Sequence, residues 1–385
     1  MDFSLSEEQR MLKDSAARFV KKECQFKQRR EQMRSPLGYC DEQWAQMAEL
    51  GWLCIPFNEK YDGLGGSLVD VMVLLEELGK GLMVEPWLST VILGGRLVEM
   101  LGTEQQKREV IPAVCGGQMK LALAYSEVGI RQQLAAIAME AKPQDGGFVL
   151  NGEKVLVLSA QTADQLLVVA RTSGKGGDEH GLTVFLVDPN ASGVTLSGYA
   201  TVDGCRAANI TFDNVQVSGS SVVGGIGAGL GNAGLDNALE SLLVVMNEAI
   251  LAVGAEAVGV MDLLYQATLE YTKTRKQFGV PIGKFQVLQH RLVDVFMQCE
   301  QSRSVLLMAV LHYVENSNES NKSISGLKVQ VGKSGRQVGQ EAIQLHGGMG
   351  MTDELSVGYY FKRLTCIDAL FGNVDFHLAR YAELV

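Results

Sequence analysis

Apolar and polar positions follow three successive patterns along the chain. Up to about residue 115 the spacing is helical. Ser6 followed by Gln9 has the form of a capping box. Met11, Leu12, Ala16, Phe19 and Val20 then recur three or four apart and give a helix one apolar face. Further helices are predicted over residues 42–50, 69–78, 88–101 and 104–114, with loops at Pro56 and at Gly63-Leu64-Gly65-Gly66. From about 120 to 220 the period shortens toward two. Short β-prone runs (Phe148-Val149-Leu150, 154–158, 165–170, 182–187 and 207–212) are separated by Gly146-Gly147, Asn151-Gly152 and Asp188-Pro189-Asn190. Runs of that length between turn residues predict an antiparallel β-domain.

Beyond about 236 the helical period returns. Residues 235–274 form one run interrupted only by Gly254 and Gly259, and a helix of that length reaches roughly 57 Å. Residues 285–313, 326–345 and 353–370 supply three more, and long helices with short joints predict a four-helix bundle. The fold class expected is therefore α+β multidomain. It comprises an N-terminal helical domain (1–118), a middle antiparallel β-domain (119–230) and a C-terminal four-helix bundle (231–385).

Composition narrows the function. The 385 residues are 46% hydrophobic, enough for a large interior. No run of about 18 uncharged apolar residues suggests a membrane span. The opening Met1-Asp2-Phe3-Ser4-Leu5-Ser6-Glu7-Glu8 lacks the basic start and apolar centre of a secretory leader. A net charge of −10 argues against a nucleic-acid partner, which needs a basic face. The seven cysteines are scattered without a CxxC pair, the usage of a reducing compartment, so a cytoplasmic location is expected. The five histidines show no HxxxH spacing, and no metal is expected.

A glycine loop spans 224–234, and within it Gly229, Gly231 and Gly234 match GxGxxG. The preceding strand is only Val222-Val223 and no βαβ pattern surrounds it, so an inter-domain loop is expected rather than a dinucleotide fingerprint.

Two segments of the third zone carry more information. One is Glu270-Tyr271-Thr272-Lys273-Thr274-Arg275-Lys276-Gln277-Phe278-Gly279, continuing through Pro281 to Gln286. The other is Gln344-Leu345-His346-Gly347-Gly348-Met349-Gly350. The first resembles the Arg-x-x-Phe-Gly signature of the acyl-CoA dehydrogenase family, and the second resembles that family's Gln-x-x-Gly-Gly-x-Gly. The three zones match the family's order, so the resemblance covers nearly the whole chain. It implies bound FAD, with Arg275, Gln277, Phe278, Gln286, Gln344, Gly347 and Gly348 among its contacts. Arg275 offers a planar fork of donors to the pyrophosphate, and the glycines let backbone approach closely. In the family these groups reach the FAD of a neighbouring subunit. The resemblance thus implies a homodimer or homotetramer, or a heterotetramer with a homologous subunit.

The middle zone matches more loosely. Tyr125 and Ser126, in Leu123-Ala124-Tyr125-Ser126-Glu127-Val128-Gly129, lie where the family holds the flavin ring, and a serine hydroxyl can serve there. Leu158 and Ser159 fall near the family's Trp-x-Thr, which would make the cover of the flavin less aromatic. Ile130-Arg131-Gln132-Gln133 replaces the usual Gly-Ser-Asp turn.

The family oxidises the Cα–Cβ bond of an acyl-CoA to a trans-2-enoyl-CoA. A carboxylate takes the α-proton, FAD takes the β-hydride, and the electrons pass to an accepting flavoprotein. The base is usually the Glu of Tyr-Glu-Gly near the C-terminus. Counted from Arg363, this chain reads Leu370-Phe371-Gly372-Asn373-Val374-Asp375, without that Glu. Asp375 is a further candidate base if the loop shifts, but is expected instead at a cofactor contact. Some members place the base on the first long helix of the C-terminal domain, and Glu248 lies within about one position of that place. It sits among Leu243, Val244, Val245, Met246, Ala249 and Ile250, and apolar surroundings would raise its pKa. Glu240 and Glu256 share the helix.

Three readings stay open. Glu248 is the base of an acyl-CoA dehydrogenase. Alternatively, the chain is a base-less, FAD-completing subunit of a heteromeric one, resembling subunits from the catabolism of steroid side chains, dicarboxylates or aromatic acids. The third reading is a flavin oxidase or monooxygenase on the same fold. His346 and His377 are expected to be structural.

Overall fold

The computed structural model describes residues 4–130, 132–226 and 235–384. Its α-helices are α1 (Glu7–Glu23), α2 (Phe26–Arg34), α3 (Asp41–Glu49), α4 (Leu68–Lys80), α5 (Leu97–Leu101), α6 (Glu104–Cys115), α7 (Leu239–Thr274), α8 (Gln286–Val314), α9 (Ser320–His346), α10 (Val357–Ala369) and α11 (Val374–Glu383). A π-helix, Leu88–Arg96, runs directly into α5. The strands are β1 (Leu121–Ala124), β2 (Glu140–Gln144), β3 (Gly147–Leu158), β4 (Gln165–Arg171), β5 (Leu182–Val187), β6 (Val194–Ala200), β7 (Arg206–Ser218), β8 (Lys276–Gln277) and β9 (Val280–Pro281). The chain divides into two compact units, one of residues 1–31, 67–83 and 250–385, the other of 32–66 and 84–249. The glycines Gly229, Gly231 and Gly234, and Arg131, lie outside the described residues.

In the first unit, helices form where the sequence supplies both a cap and an apolar stripe. Gln9 N donates to Ser6 Oγ at 3.1 Å and Ser6 N to Gln9 Oε1 at 3.0 Å, which closes the expected capping box. Helix α4 starts with a second box, Ser67 with Asp70. Glycine sets the distance between α4 and α7. A Cβ on Gly259 would stand 1.8 Å from the Glu76 carbonyl oxygen, and one on Gly79 would stand 2.4 Å from that of Glu256, so the two backbones nearly touch. Helix α9 packs against α8 and α10 with Leu306, Val310, Leu327, Val331, Val338 and Leu364 buried, and Leu306 and Leu327 approach Gly254 of α7. Helix α11 adds to the expected four. Only its His377 is fully buried, so it leaves no apolar periodicity to read.

In the second unit, the sheet order is β1-β4-β2-β3-β7-β6, with β5 on β4. Most pairs are antiparallel, as expected. The pair β1–β4 is parallel from Leu121↔Gln165 to Ala124↔Val168. Phe148 and Phe185 meet edge to face at 5.3 Å in the core of the sheet. Asn151-Gly152 is not a turn, because β3 runs through it. The strand absorbs the disturbance as irregular register at Leu150/Gly152 and again at Lys154/Val157. Strands β2 and β6 lie outside the predicted runs because their side chains are mostly exposed.

Helix boundaries shift by a few residues elsewhere: the run expected from 235 becomes helical at Leu239, and the run from 326 at Ser320. Helix α2 falls outside the predicted elements, since only its Arg29 is buried. Among the described residues, α7 is the helix long and apolar enough to cross a membrane. With 83% of its most apolar window buried inside the molecule, its apolarity is that of a core helix.

Candidate functional site

The second unit holds the candidate flavin-ring contacts. Strand β1 ends at Ala124 and delivers Tyr125, nearly buried, and the half-buried Ser126. Burial raises the pKa of the Tyr125 phenol, which keeps it protonated. The loop is fastened from β3. Val155 N donates to the Ser126 carbonyl at 2.8 Å. Lys154 Nζ, fully buried, donates to the Tyr125 carbonyl at 3.3 Å and to Glu127 Oε1 at 2.6 Å. The Glu127 carboxylate also accepts from the Ala138 and Met139 amides at 2.9 and 3.1 Å. At the far end of β3, Leu158 pairs with Ala207. Ser159 turns the chain with φ of 56°, and its N–H reaches the Arg206 carbonyl at 2.9 Å.

Glu248 belongs to the same unit, and its surroundings differ from expectation. Its side chain is 1% exposed, and both carboxylate oxygens are taken by one guanidinium. Arg96 Nε donates to Oε2 at 3.0 Å and Arg96 Nη2 to Oε1 at 2.9 Å. Arg96 Nη1 turns to Glu99 and to the Pro56 carbonyl at 3.3 Å. Burial, which opposes the Arg96 charge, is outweighed by Glu248 and Glu99, so its pKa is raised. The neighbours Val245, Ala249 and Ile250 are apolar and buried as predicted. What the sequence did not show is the cation. Arg96 lies well over a hundred residues away, at the end of the π-helix, and its only local signal is a charge inside the apolar run 91–101. Glu240 lies in the first turn of α7, and Glu256 is paired with Arg363 at 2.5 Å in the other unit.

In the first unit the two C-terminal motifs come together. Tyr271 stacks on His346 with ring centroids 4.3 Å apart, and its hydroxyl donates to the His346 carbonyl at 3.4 Å. Arg275 leaves α7 exposed, followed by the β8–β9 hairpin. The hairpin turn has φ of 52° at Phe278 and 81° at Gly279, the pair of positive values that a tight two-residue turn requires. It presents Phe278 93% exposed. Gln277, Gln286 and Gln344 are exposed nearby in sequence. At Gly347 (φ 59°) and Gly348 an added Cβ would meet nothing within 4 Å, which leaves an open backbone cradle. A permanent cation, amide donors, an exposed aromatic ring and bare backbone suit a pyrophosphate with an attached ring system. These residues therefore fit FAD.

The C-terminal segment around Phe371 and Gly372 is clamped. Lys328 Nζ, buried, donates to the carbonyls of Ile367, Asp368 and Gly372 at 2.7, 2.9 and 2.7 Å. Burial pushes its pKa down to about 8. His377 Nε2 donates to the Phe371 carbonyl at 3.0 Å, while its buried Nδ1 meets no hydrogen-bond partner among the described residues. Phe371 has φ of 57° and Gly372 of 101°. A Cβ on Gly372 would stand 2.4 Å from the Phe376 ring and 3.0 Å from His377 Nε2. Asp375 lines a cavity of about 320 Å³ with Lys333, Arg336, Gln340 and Asp368. His346 and His377 both bond backbone carbonyls, the first to Ala342 at 2.8 Å.

Helix, sheet and helix in this order, with these paired motifs, define an FAD-dependent oxidoreductase fold. Comparison with known proteins identifies the family. Profiles for the acyl-CoA dehydrogenase N-terminal, middle and C-terminal domains match residues 6–118, 122–215 and 233–385. The 2-methylacyl-CoA dehydrogenase of Solanum tuberosum is 30% identical over 82% of this chain and 75% of its own. The structure of a variant of the "Tcur3481-Tcur3483 steroid ACAD" superposes with a TM-score of 0.85 at 28% identity, covering 99% of this chain and 98% of that one. "PigA with FAD and proline" superposes at 0.87 with 25% identity, covering 100% and 98%. The chain belongs to the acyl-CoA dehydrogenase family, and its cofactor is FAD.

Proposed function

We propose that this chain is a subunit of a flavin-dependent acyl-CoA dehydrogenase that completes an FAD site while a homologous subunit supplies the catalytic base. The observation that carries this reading is the two-pronged bond between Arg96 and Glu248. A carboxylate whose two oxygens both accept from one half-buried guanidinium already has both in use, which favours a structural role over that of a base. The clamped segment at Gly372 supports the same reading, because its backbone leaves no room for a side chain where the family counts its Glu. FAD, when bound, accepts the hydride from the β-carbon. Within the first unit, Arg275, Gln277, Phe278, Gln286, Gln344, Gly347, Gly348 and Asp375 would contact FAD, Arg275 and the Gly347-Gly348 turn reaching that of a neighbouring subunit; within the second, Tyr125, Ser126, Leu158 and Ser159 would meet a flavin ring. The likeness to a steroid enzyme whose name joins two chains supports a heteromer and a bulky acyl group. Electrons would leave to an accepting flavoprotein, in a cytoplasmic setting.

The test separates proton removal from redox chemistry. A non-oxidisable thia-substituted acyl-CoA is incubated in deuterated water with the purified chain and FAD. No deuterium should enter at the α-carbon until a homologous base-bearing subunit is added. Exchange by the chain alone that disappears in Glu248→Gln would return the base to Glu248.

A further inference from the structure

Beneath the loop carrying Tyr125 and Ser126 lies an ion pair that the proposed function does not use. Strand β3 alternates with Phe148, Leu150 and Lys154 turned inward, and its register breaks between Lys154 and Val157 before Val157 resumes the inward position. Lys154 thus occupies a core position of the sheet, where an ammonium is costly unless paired. It is 0% exposed, and burial pushes its pKa down to about 8 against the pull of Glu127. Its partners are the Glu127 carboxylate at 2.6 Å and the Tyr125 carbonyl at 3.3 Å, one residue on either side of Ser126. Glu127 in turn holds the Ala138 and Met139 amides, so the pair ties three segments together. An apolar residue at 154 would pack as well and fasten nothing.

We infer that Lys154 and Glu127 are a positioning pair that fixes the Tyr125–Ser126 backbone in the register presented to the flavin ring. The inference rests on the proposed placement of Ser126 at the flavin. Lys154 is fully buried, with the Tyr125 carbonyl and the Glu127 carboxylate as its partners. It acts by holding both carbonyl and carboxylate neighbours of Ser126, leaving that residue little freedom to rotate. Lys154→Met frees the loop, and Lys154→Arg keeps a charged donor but lengthens the reach.

The experiment uses the full chain, assembled with its partner subunit if FAD binding requires it. FAD affinity, the visible circular dichroism of the bound flavin and amide exchange over residues 124–128 are measured. The proteins are wild type, Lys154→Met, Lys154→Arg, Glu127→Gln, the Lys154→Met/Glu127→Gln double variant, and Ser126→Ala. Lys154→Met is expected to weaken FAD about tenfold, the scale of one lost charge-assisted hydrogen bond. It should also alter the flavin dichroism and speed exchange at 124–128. Lys154→Arg should recover part of each change. The double variant should be no worse than the worse single one, as coupled partners require. Wild-type affinity and dichroism in Lys154→Met, with altered dichroism in Ser126→Ala, would overturn the inference and leave the flavin contact standing. An unaltered flavin in Ser126→Ala would overturn the contact itself. If Lys154→Met does not fold, Glu127→Gln carries the test, and an unchanged flavin there sinks the pairing.

Discussion

Replacing Glu248 with Gln removes one charge from a site where both carboxylate oxygens are used. Arg96 loses an ionic partner, and the new amide turns an NH₂ group toward either Nε or Nη2, donor against donor. One hydrogen bond to a charged group is worth about 1.5–3 kcal/mol, and a donor left without an acceptor adds to the loss. Arg96 keeps Glu99 and the Pro56 carbonyl. The expected destabilisation is about 3 kcal/mol, toward the low end for breaking a buried pair. Denaturant unfolding measures it. Changing both partners, Arg96→Met with Glu248→Leu, should cost less than Arg96→Met alone, since Glu248 is then not left as an unpaired buried charge, while Glu99 keeps the Asn58 amide in both. In the assembled enzyme, turnover per bound flavin in Glu248→Gln should fall by less than about tenfold, below the roughly 10²–10⁴-fold that a general base supplies. Undiminished stability together with a rate loss in that higher range would refute this reasoning.

Three further outcomes are expected. Gly372→Glu should not create activity in the isolated chain. It should destabilise by more than the roughly 1 kcal/mol of a left-handed backbone alone, because the new Cβ meets the Phe376 ring. Dehydrogenation by Gly372→Glu alone would show that the segment can reopen. The pKa of His377 is pushed down by burial to about 4, so between there and the free value the unfolded chain binds the extra proton. Stability from this residue is therefore present above about pH 6.5 and lost as pH falls toward about 4. His377→Gln should flatten that part of the profile, and an unaltered slope would remove His377 as the cause. Arg275→Lys should weaken FAD by about tenfold despite retaining charge, because the two-pronged geometry is lost. Equal affinity by fluorescence titration would show that only the charge matters.

The long helices were legible because each buries an apolar stripe over many turns, and Ser6 with Gln9 announced the first cap. The FAD motifs were legible because their residues are consecutive and their chemistry is local: a cation after a helix, then a glycine turn. The environment of Glu248 was not. Its apolar neighbours are written beside it in the sequence, but the guanidinium that occupies it comes from the π-helix of another part of the chain. No periodicity couples Arg96 to Glu248. Lys154 was hidden for a related reason. The β-prone run 154–158 included it, but nothing in the run tells which face of β3 it takes, and only the register of β3 turns it inward. Helices α2 and α11 bury too little apolar surface to leave a stripe.

On the proposed reading this chain supplies part of a flavin site and no base. Anaerobic mixing of the FAD-loaded protein with a large-group acyl-CoA tests it most directly, followed by loss of the visible flavin absorbance in a single turnover. No bleaching and no enoyl-CoA are expected from the chain alone, and both once a homologous base-bearing subunit is present. Bleaching with stoichiometric enoyl-CoA from the chain alone would contradict it.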